Sequence, residues 1–290
     1  MRKALLLFIP MFLVAATTQK TTRLPKDLKE ISGWVFANDS TLIAHNDGGN
    51  DPEIFVLNLD GSIRHRVSVT NAENKDWEDI AQDQKGHLYI GDFGNNNNTR
   101  KNLRVLKVSL KKVLDNQDVE AKFIEFSYPE QKEFPPKLTE KYFDCEAMSF
   151  YNDSLYLFTK CRSEPFDGKC YVYTLPTKPG TYKAQKKYYM VIGKRDWFRD
   201  AATSATIRND KLYLLTYNRV IIHTFENGRA KYESHQTMLP ITQKEAIAVH
   251  SNGKIYIGDE RQKLVGGGNI YIIKPAPSQR IQRGSTENKK

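Results

Sequence analysis

The distribution of apolar and polar residues along the chain predicts short β-strands arranged in repeated pairs. Five segments share one order: a Ser or Glu, a short strand, a turn rich in Asn, Asp or Gly, and a second apolar strand. The Ser or Glu that anchors each copy is Ser32, Glu78, Glu146, Ser204 or Glu245. The second strands begin at Leu42, Leu88, Leu155, Leu212 and Ile255. The distance from anchor to second strand therefore hardly changes, which is typical of a hairpin held in register by its turn.

The spacing of the five copies indicates a propeller. A four-stranded blade takes roughly 40–50 residues, and consecutive anchors are separated by about that length or somewhat more. Two further strands follow each of the first four pairs, but the fifth copy has only "NIYIIK" before the tail. The segment near "TTQKTTRL" can supply the missing strand, which would close the ring and remove its exposed edges.

The predicted fold is therefore all-β: a single β-propeller with five blades of four antiparallel strands, closed by the N-terminal strand. The first alternative has six blades, with a degenerate blade in the long interval between the second and third copies. The second alternative is a β-sandwich, which a repeated hairpin at blade spacing disfavours. The stretch "LKKVLDNQ" is the best candidate for a helix, and it is short.

The first residues of the chain predict export. Arg2 and Lys3 precede an apolar run from Ala4 to Ala16, the layout of a secretory signal peptide, and the run is short for a membrane span. A retained N-terminal anchor is the alternative. No later segment approaches ~18 consecutive apolar residues, so no transmembrane segment is expected after signal removal. The predicted divisions are a signal peptide (1–18), the propeller (19–275) and a disordered basic tail (276–290).

Charge and cysteine content limit the classes of binding partner and the cellular compartment that we expect. The net charge is +10, but the Lys and Arg residues are scattered, without a basic block interleaved with aromatics, so nucleic-acid binding is not expected. We expect an exported bacterial monomer that is periplasmic, on the outer surface or secreted.

Export permits disulfides. Cys161 and Cys170 flank a predicted hairpin loop and could face each other, with Cys145 left over, or all three could be packed free thiols.

Propeller geometry brings the anchors together. The first strand of each blade lines the central channel, and the second strand ends at the face where the first begins. The carboxylates of Glu78, Glu146 and Glu245 would then repel one another around one axis unless something neutralised them. Calcium accepts carboxylates, carbonyls and waters flexibly. The predicted metal site is one calcium ion in the central channel, at Ser32, Glu78, Glu146, Ser204 and Glu245.

Two alternatives to the metal remain open. Each Glu could accept hydrogen bonds from nearby backbone N–H groups, or waters could fill the channel. Asp79 is not counted as a ligand, because on a regular strand it would point to the face opposite Glu78.

The ends of the second strands predict a ligand-binding mouth around the metal. Its predicted residues are His45, Asp47, Asp92, Lys160, Arg162, Arg219, Asp259 and Glu260. Acids beside basic residues at a concave mouth suit an anionic or polar small molecule, or an envelope protein as partner. A solvated rim is the alternative. The sequence assigns no catalytic residues, because it has no Gly-x-Ser-x-Gly elbow and no Ser/His/Asp order.

The motifs "EISG…ND", "WEDIA…GD" and "EAIAV…GDE" resemble the SdiA-regulated family of exported bacterial propellers. They are also similar to esterase-like phytases and gluconolactonase (SMP-30) propellers. The alternation of Ser and Glu anchors resembles the calcium-activated apyrases. This last resemblance implies five blades and one channel calcium held by the blade-start residues, here Ser32, Glu78, Glu146, Ser204 and Glu245. The nucleotide-binding residues of apyrases have no clear counterpart in this chain.

Two functions follow from these patterns. The first is an exported calcium-binding propeller that binds a ligand or a partner in the cell envelope without catalysis. The alternative is a calcium-dependent hydrolase, acting as a phosphoesterase, nucleotidase or lactonase at the channel mouth. In that case the metal would polarise the substrate, and Lys160, Arg162 or Arg219 would hold its anionic group.

Overall fold

The computed structural model describes residues 19–264 and 266–274. Over these ranges the chain forms five small sheets around a central channel, which confirms the five-bladed β-propeller. The sequence-predicted signal peptide and basic tail lie outside the described residues. None of the helices within the described ranges has the length and apolar character needed to span a membrane.

Each blade begins with the strand nearest the channel and continues outward. The first blade consists of β2 (Ile31–Asn38), β3 (Thr41–Asn46), β4 (Glu53–Leu57) and β5 (Ile63–Ser68). The second contains β6 (Trp77–Gln82), β7 (His87–Asp92), β8 (Leu103–Ser109) and β9 (Lys122–Ser127). The third contains β10 (Asp144–Tyr151), β11 (Ser154–Lys160), β12 (Lys169–Pro176) and β14 (Gln185–Val191). The fourth contains β15 (Ser204–Arg208), β16 (Lys211–Thr216), β17 (Arg219–Glu226) and β18 (Arg229–Thr237).

The fifth blade is closed by the N-terminal strand, as the sequence predicts. Its strands are β19 (Lys244–Val249), β20 (Ile255–Asp259), β21 (Asn269–Ile273) and β1 (Gln19–Arg23). β1 pairs antiparallel with β21. A strand from one end of the chain thus occupies the outer edge of a sheet built from the other end, which closes the ring.

One strand departs from the repeat. β13 (Gly180–Lys183) lies between the third and fourth strands of blade three but pairs in parallel with β9 of blade two. Blade two therefore has five strands. The pairing covers the outer edge of β9 and links two blades on the outside of the ring.

Helices occur only in connections between strands of the described chain. α1 (Leu110–Leu114) lies within the predicted "LKKVLDNQ" stretch, and the hydroxyl of Ser109 caps its first turn. α2 (Trp197–Asp200) begins after Asp196, whose carboxylate accepts a hydrogen bond from the Arg199 N–H. Short 3₁₀ turns cover Lys26–Leu28 and Leu138–Glu140.

Apolar side chains fill the spaces between neighbouring blades. Trp34 of blade one packs with Ala246, Ala248 and Tyr256 of blade five, and Trp77 of blade two is buried in a cluster that includes residues of blade one. Burial of one large apolar side chain stabilises the fold by about 1.5–3 kcal/mol. Packing between blades therefore holds the five inner strands β2, β6, β10, β15 and β19 against one another around the channel.

Candidate functional site

The anchor residues lie at irregularities of the inner strands. In blades one, three and five, the strand pairing skips one residue, which is Ser32, Glu146 or Glu245. In blade two, Glu78 and Asp79 both lie in the gap between the paired residues Trp77 and Ile80. A bulge leaves a residue outside the ladder and redirects its side chain. Ser204 in blade four differs, because it pairs regularly with Leu215.

Carboxyl groups gather at the mouth of the channel in two trios that share Asp47. One trio is Asp47, Glu245 and Glu260, and the other is Asp47, Asp76 and Glu78. Within each trio, one carboxylate oxygen from every residue lies within 4.8 Å of the others. Glu78, Glu245 and Glu260 are buried, whereas Asp47 and Asp76 are half-buried. The arrangement places three oxygen donors around each of two adjoining points.

The electrostatics of the cluster favour protonation or a bound cation. Burial, followed by the carboxylate of Glu245, raises the pKa of Asp47 well above its usual value. Burial and then Glu146 raise the pKa of Glu78 in the same way. Burial and the Glu245 carboxylate raise the pKa of Glu260 to about 10, and burial raises that of Asp76 to about 6. Burial is the largest cause of each shift, and neighbouring carboxylates add to it, although Arg100 opposes the shift at Asp76.

Two glycines explain how the chain segments that carry the carboxylates can approach so closely. A side chain at Gly94 would place its Cβ 2.1 Å from Oε1 of Glu78 and 2.5 Å from Cγ of Asp76. At Gly48, a Cβ would lie 2.7 Å from the backbone oxygen of Lys75. Glycine is therefore required at both positions for the carboxylates to converge.

Hydrogen bonds hold the loop that carries Asp47. The side chains of Asn50 and Asn74 donate to the Asp47 carbonyl, at 2.9 and 2.8 Å, and the Asp47 N–H donates to Glu30 O at 2.7 Å. The main chain at Asp47 is thus fixed, and its carboxylate accepts a bond from its neighbour's N–H at Gly48.

Positive charge borders one side of the cluster. Lys160 is buried and lies 2.9 Å from Oε2 of Glu146. Arg162 lies 2.6 Å from Asp144 and 3.1 Å from Oε1 of Glu146. Burial opposes the charge on Lys160, but Glu146, Tyr217 and Glu245 together outweigh it and raise the lysine pKa well above its usual value. Glu146 is therefore neutralised by two protein cations and belongs to an ion-pair network beside the two trios.

Tyr217 joins this network to the acidic cluster. Its hydroxyl lies 3.3 Å from Nζ of Lys160 and donates to Oε1 of Glu245 at 2.9 Å. Burial and then Glu245 raise the pKa of Tyr217 well above its usual value, so the hydroxyl keeps its proton. A continuous chain of polar groups thus runs from Glu146 through Lys160 and Tyr217 to Glu245.

The two anchor hydroxyls lie deeper, and protein groups accept their protons. Ser32 donates to the backbone oxygen of Glu78 at 2.6 Å, and Ser204 lies 3.1 Å from Oδ1 of Asp79. Of the five predicted metal ligands, only Glu78 and Glu245 lie in the carboxylate trios. The other three occupy hydrogen-bonded or ion-paired positions around them.

The carboxylate of Asp79 lies in the channel, whereas a regular strand would direct it to the face opposite Glu78. The bulge in β6 lets its carboxylate reach across the ring to the inner strands β10 and β15. Oδ2 accepts from the N–H groups of Met148 and Ala205 at 2.8 and 3.1 Å, and Oδ1 accepts from that of Ile80 at 2.9 Å. Asp79 therefore ties three blades together at the centre of the channel.

Several predicted mouth residues have other partners. Asp92 is fully buried between Arg100 and Arg104, at 2.9 and 2.8 Å. Asp259 is fully buried and accepts from Thr242, Asn269 and Tyr271. These two carboxylates are fully engaged and do not join the trios.

Arg219 and His45 also lie apart from the acidic cluster. Arg219 pairs with Asp200 on α2. His45 is fully buried, burial lowers its pKa to about 4, and Nδ1 lies 3.0 Å from the Asn46 oxygen. The imidazole is therefore neutral near pH 7. Among the predicted mouth residues, Asp47 and Glu260 lie in the trios, and Lys160 and Arg162 border them.

Sequence reasoning missed Asp76 and Tyr217. Asp76 lies two residues before the anchor Glu78, in the segment "KDWED". The two acidic residues that follow it could have indicated that Asp76 belongs to the same cluster. Tyr217 follows the second strand of blade four, where the repeat places mouth residues. All three cysteines are buried and free, in agreement with the second of the two arrangements considered for them.

Comparisons with known proteins support the fold, but they do not indicate a specific family or activity. No protein-family model and no curated protein matches the chain. Among solved structures, glutaminyl cyclase from Myxococcus xanthus is similar, with a TM-score of 0.55 and 10% identity over 89% of this chain and 96% of that one. The PQQ-bound aldose sugar dehydrogenase from Streptomyces coelicolor has a TM-score of 0.51 and 7% identity over 89% and 97%. The chain therefore has the fold of the β-propeller proteins, and the closer family resemblance seen in the sequence stays a prediction.

Proposed function

We propose that this protein binds a calcium ion at the channel mouth and acts as an exported, non-catalytic binding protein of the bacterial cell envelope. The observation that supports this proposal is the pair of carboxylate trios, buried or half-buried, that are joined through Asp47. Carboxyl groups at the mouth outnumber the cationic groups that contact them, so a bound cation would relieve both their repulsion and their desolvation.

The donor atoms fit calcium. Both trios consist of carboxylate oxygens, without a nitrogen or sulfur ligand among the described residues. Hard divalent cations prefer such ligands, and calcium accepts six to eight oxygens in flexible geometry. Asp47 with Glu245 and Glu260, or with Asp76 and Glu78, would supply part of this shell, and waters or a ligand would supply the rest.

This proposal revises the ligand set inferred from sequence. It keeps Glu78 and Glu245, and it replaces Ser32, Glu146 and Ser204 with Asp47, Asp76 and Glu260. The reason is that the serine hydroxyls donate to protein oxygens, while Glu146 is paired with Lys160 and Arg162.

A ligand at this mouth would be anionic or polar. Its oxygen atoms could complete the coordination of the cation, while Arg162, which is half-buried at the edge of the cluster, could pair with its charge. Export would suit such a site, because extracellular calcium modules function with dissociation constants of about 10⁻⁴ to 10⁻³ M.

The test is calcium-dependent stability of the mature protein after treatment with a chelator. Calcium at about 100 times its dissociation constant should stabilise the fold by about 2.7 kcal/mol, with a matching rise in melting temperature. Asp47→Asn should abolish most of this rise, because both trios lose their shared ligand. Asp51→Asn is the matched control, because this nearby aspartate is exposed. If calcium leaves the melting temperature of the wild-type protein unchanged, the proposal is wrong.

Metal-dependent hydrolysis is the second candidate, and the polar chain from Lys160 to Glu245 favours it. With calcium held by Asp47, Asp76 and Glu78, burial and Glu245 would keep the pKa of Glu260 raised, so its carboxyl could donate a proton. Lys160 and Arg162 could hold an anionic substrate. A bound calcium would polarise the substrate and orient water.

Turnover of p-nitrophenyl phosphate, ATP or glucono-lactone separates the two candidates. Hydrolysis by purified protein that is lost in Glu146→Gln and Glu260→Gln, with the fold intact, would establish the second. Absence of turnover in protein that responds to calcium would favour the first.

A further inference from the structure

The channel has a second opening with a different character. At the end opposite the acidic mouth, a cavity of about 190 Å³ is bordered by residues from the inner strands of all five blades. Asp79 lies between the two ends, because its carboxylate crosses the channel to Met148 and Ala205. The residues that matter for the cavity's chemistry are Phe36, Gln82, Ser149, Phe150, Arg208 and Val249.

Two polar side chains in this cavity lack protein partners. Nε of Arg208 and Oε1 of Gln82 are both shielded from solvent, and no described residue hydrogen-bonds to either atom. Arg208 also forms no ion pair with any carboxylate in the described part of the chain. A buried donor or acceptor without a partner costs about 1–3 kcal/mol, so water or a ligand bound to either atom would stabilise the fold.

The two groups lie at the same depth in the channel. Asp79 on β6 contacts Ala205 on β15, and Gln82 and Arg208 each lie three residues further along these strands. Both then border the same cavity. A single small molecule could therefore accept from the guanidinium and donate to the amide oxygen.

The rest of the cavity sets the shape and charge of that molecule. Phe36, Phe150 and Val249 provide an apolar wall. Asp83 also borders the cavity, but its oxygens accept from His87 and Tyr89 at 2.9 Å, and it forms no ion pair with Arg208. Ser149 accepts from the Ile207 N–H at 2.8 Å and keeps its own proton to donate.

We propose that this cavity is a second binding site, specific for a small organic carboxylate with an apolar body. The carboxylate would bind Arg208 and the Ser149 hydroxyl, the apolar body would pack on the two phenylalanines, and a hydroxyl on the ligand would donate to Gln82. Guanidinium groups pair with carboxylates in a planar, directional manner that a lysine does not reproduce. The site is independent of the calcium site at the other end of the channel.

The test is titration calorimetry of the mature protein with 4-hydroxybenzoate, benzoate and hexanoate, and with the neutral amide 4-hydroxybenzamide. We expect at least one carboxylate to bind, the amide to bind at least about tenfold more weakly, and Arg208→Gln to weaken carboxylate binding at least about tenfold. Arg208→Lys should restore only part of the affinity. Arg229→Gln, on the exposed outer strand β18, is the matched control and should bind like the wild type.

Two further variants make the outcome decisive. Asp47→Asn should leave carboxylate binding unchanged, because it alters only the opposite mouth. Gln82→Leu should weaken 4-hydroxybenzoate more than benzoate, since only the former carries the hydroxyl. The proposal is overturned if none of the three carboxylates binds with a dissociation constant below about 10 mM, or if Arg208→Gln binds them as well as the wild type, in which case ordered water satisfies Arg208 and Gln82.

Discussion

Glu78 and Asp79 are adjacent in sequence and buried in the same channel, but they lie in two different regions. At the centre, the Asp79 carboxylate accepts from the N–H groups of Ile80, Met148 and Ala205 and from the Ser204 hydroxyl. At the mouth, no described group donates a hydrogen bond to the Glu78 carboxylate, which faces Asp47 and Asp76.

The surroundings of a buried acid therefore decide its role. Where neutral donors surround it, as at the centre, burial still raises the pKa of the acid, but the hydrogen bonds from those donors oppose the rise and join three blades. Where other acids surround it, as at the mouth, it destabilises the fold until a proton or a cation arrives. Substitutions in the two regions should accordingly change stability in opposite directions.

The largest effect is expected from Asp79→Ala. The change leaves three buried N–H groups and one hydroxyl without an acceptor, and it should lower the free energy of unfolding by at least about 3 kcal/mol. Urea unfolding followed by circular dichroism measures this loss. Glu226→Ala, at an exposed position, is the control. A loss below about 1 kcal/mol would contradict the structural role of Asp79.

Asp47→Asn should have the opposite sign in the absence of metal. Removing one charge from both trios relieves repulsion, so the chelator-treated variant should be about 1 kcal/mol more stable than the wild type. The same unfolding experiment, with Asp51→Asn as control, measures the difference. A variant that is destabilised without calcium would show that the Asp47 carboxylate supports the fold.

The third prediction concerns pH and the proton on Glu260. Burial and Glu245 raise its pKa from 4.5 to about 10, so at neutral pH the folded chain holds a proton that the unfolded chain has released. Stability from this group is present at low pH and is lost as pH rises toward 10. Burial lowers the pKa of His45 from 6.5 to about 4, so this residue affects the pH dependence only between those two values.

Chelator-treated protein should therefore lose stability between pH 7 and 8, and Glu260→Gln should lose less. The slope of unfolding free energy against pH measures this. Equal slopes in the two proteins would show that Glu260 is ionised in the folded state.

Ser32→Ala should have the smallest effect on stability. The variant also tests whether Ser32 is a calcium ligand. Loss of the hydrogen bond to the Glu78 oxygen should cost about 1 kcal/mol, with the calcium-dependent rise in melting temperature preserved. Melting curves with and without calcium measure both quantities. Loss of the calcium response would return Ser32 to the metal ligands, as the sequence suggested.

The sequence predicts the ring well because each hairpin carries its own signals. Residues such as Asn152 and Asp153 adopt the positive φ that tight turns need. The fifth copy lacks a fourth strand of its own, which indicated that the N-terminal strand closes the fifth blade. β13 was not predicted, because a four-residue strand that pairs with a different blade has no local pattern.

The acidic cluster at the mouth was harder to predict because it depends on bulges and loop paths. A regular strand would send Asp79 away from Glu78, but the bulge in β6 brings Asp79 into the channel. Asp47 and Glu260 were expected at the mouth, yet their approach to Glu245 depends on how loops from different blades pack, which repeat spacing does not encode.

The most direct measurement of the central claim is anomalous diffraction from crystals of the mature protein grown with calcium. We predict a peak bounded by Asp47 and by either Glu245 with Glu260 or Glu78 with Asp76, and no such peak in crystals of Asp47→Asn. A peak on the axis beside Ser32 and Ser204, or no peak at saturating calcium, would contradict the account.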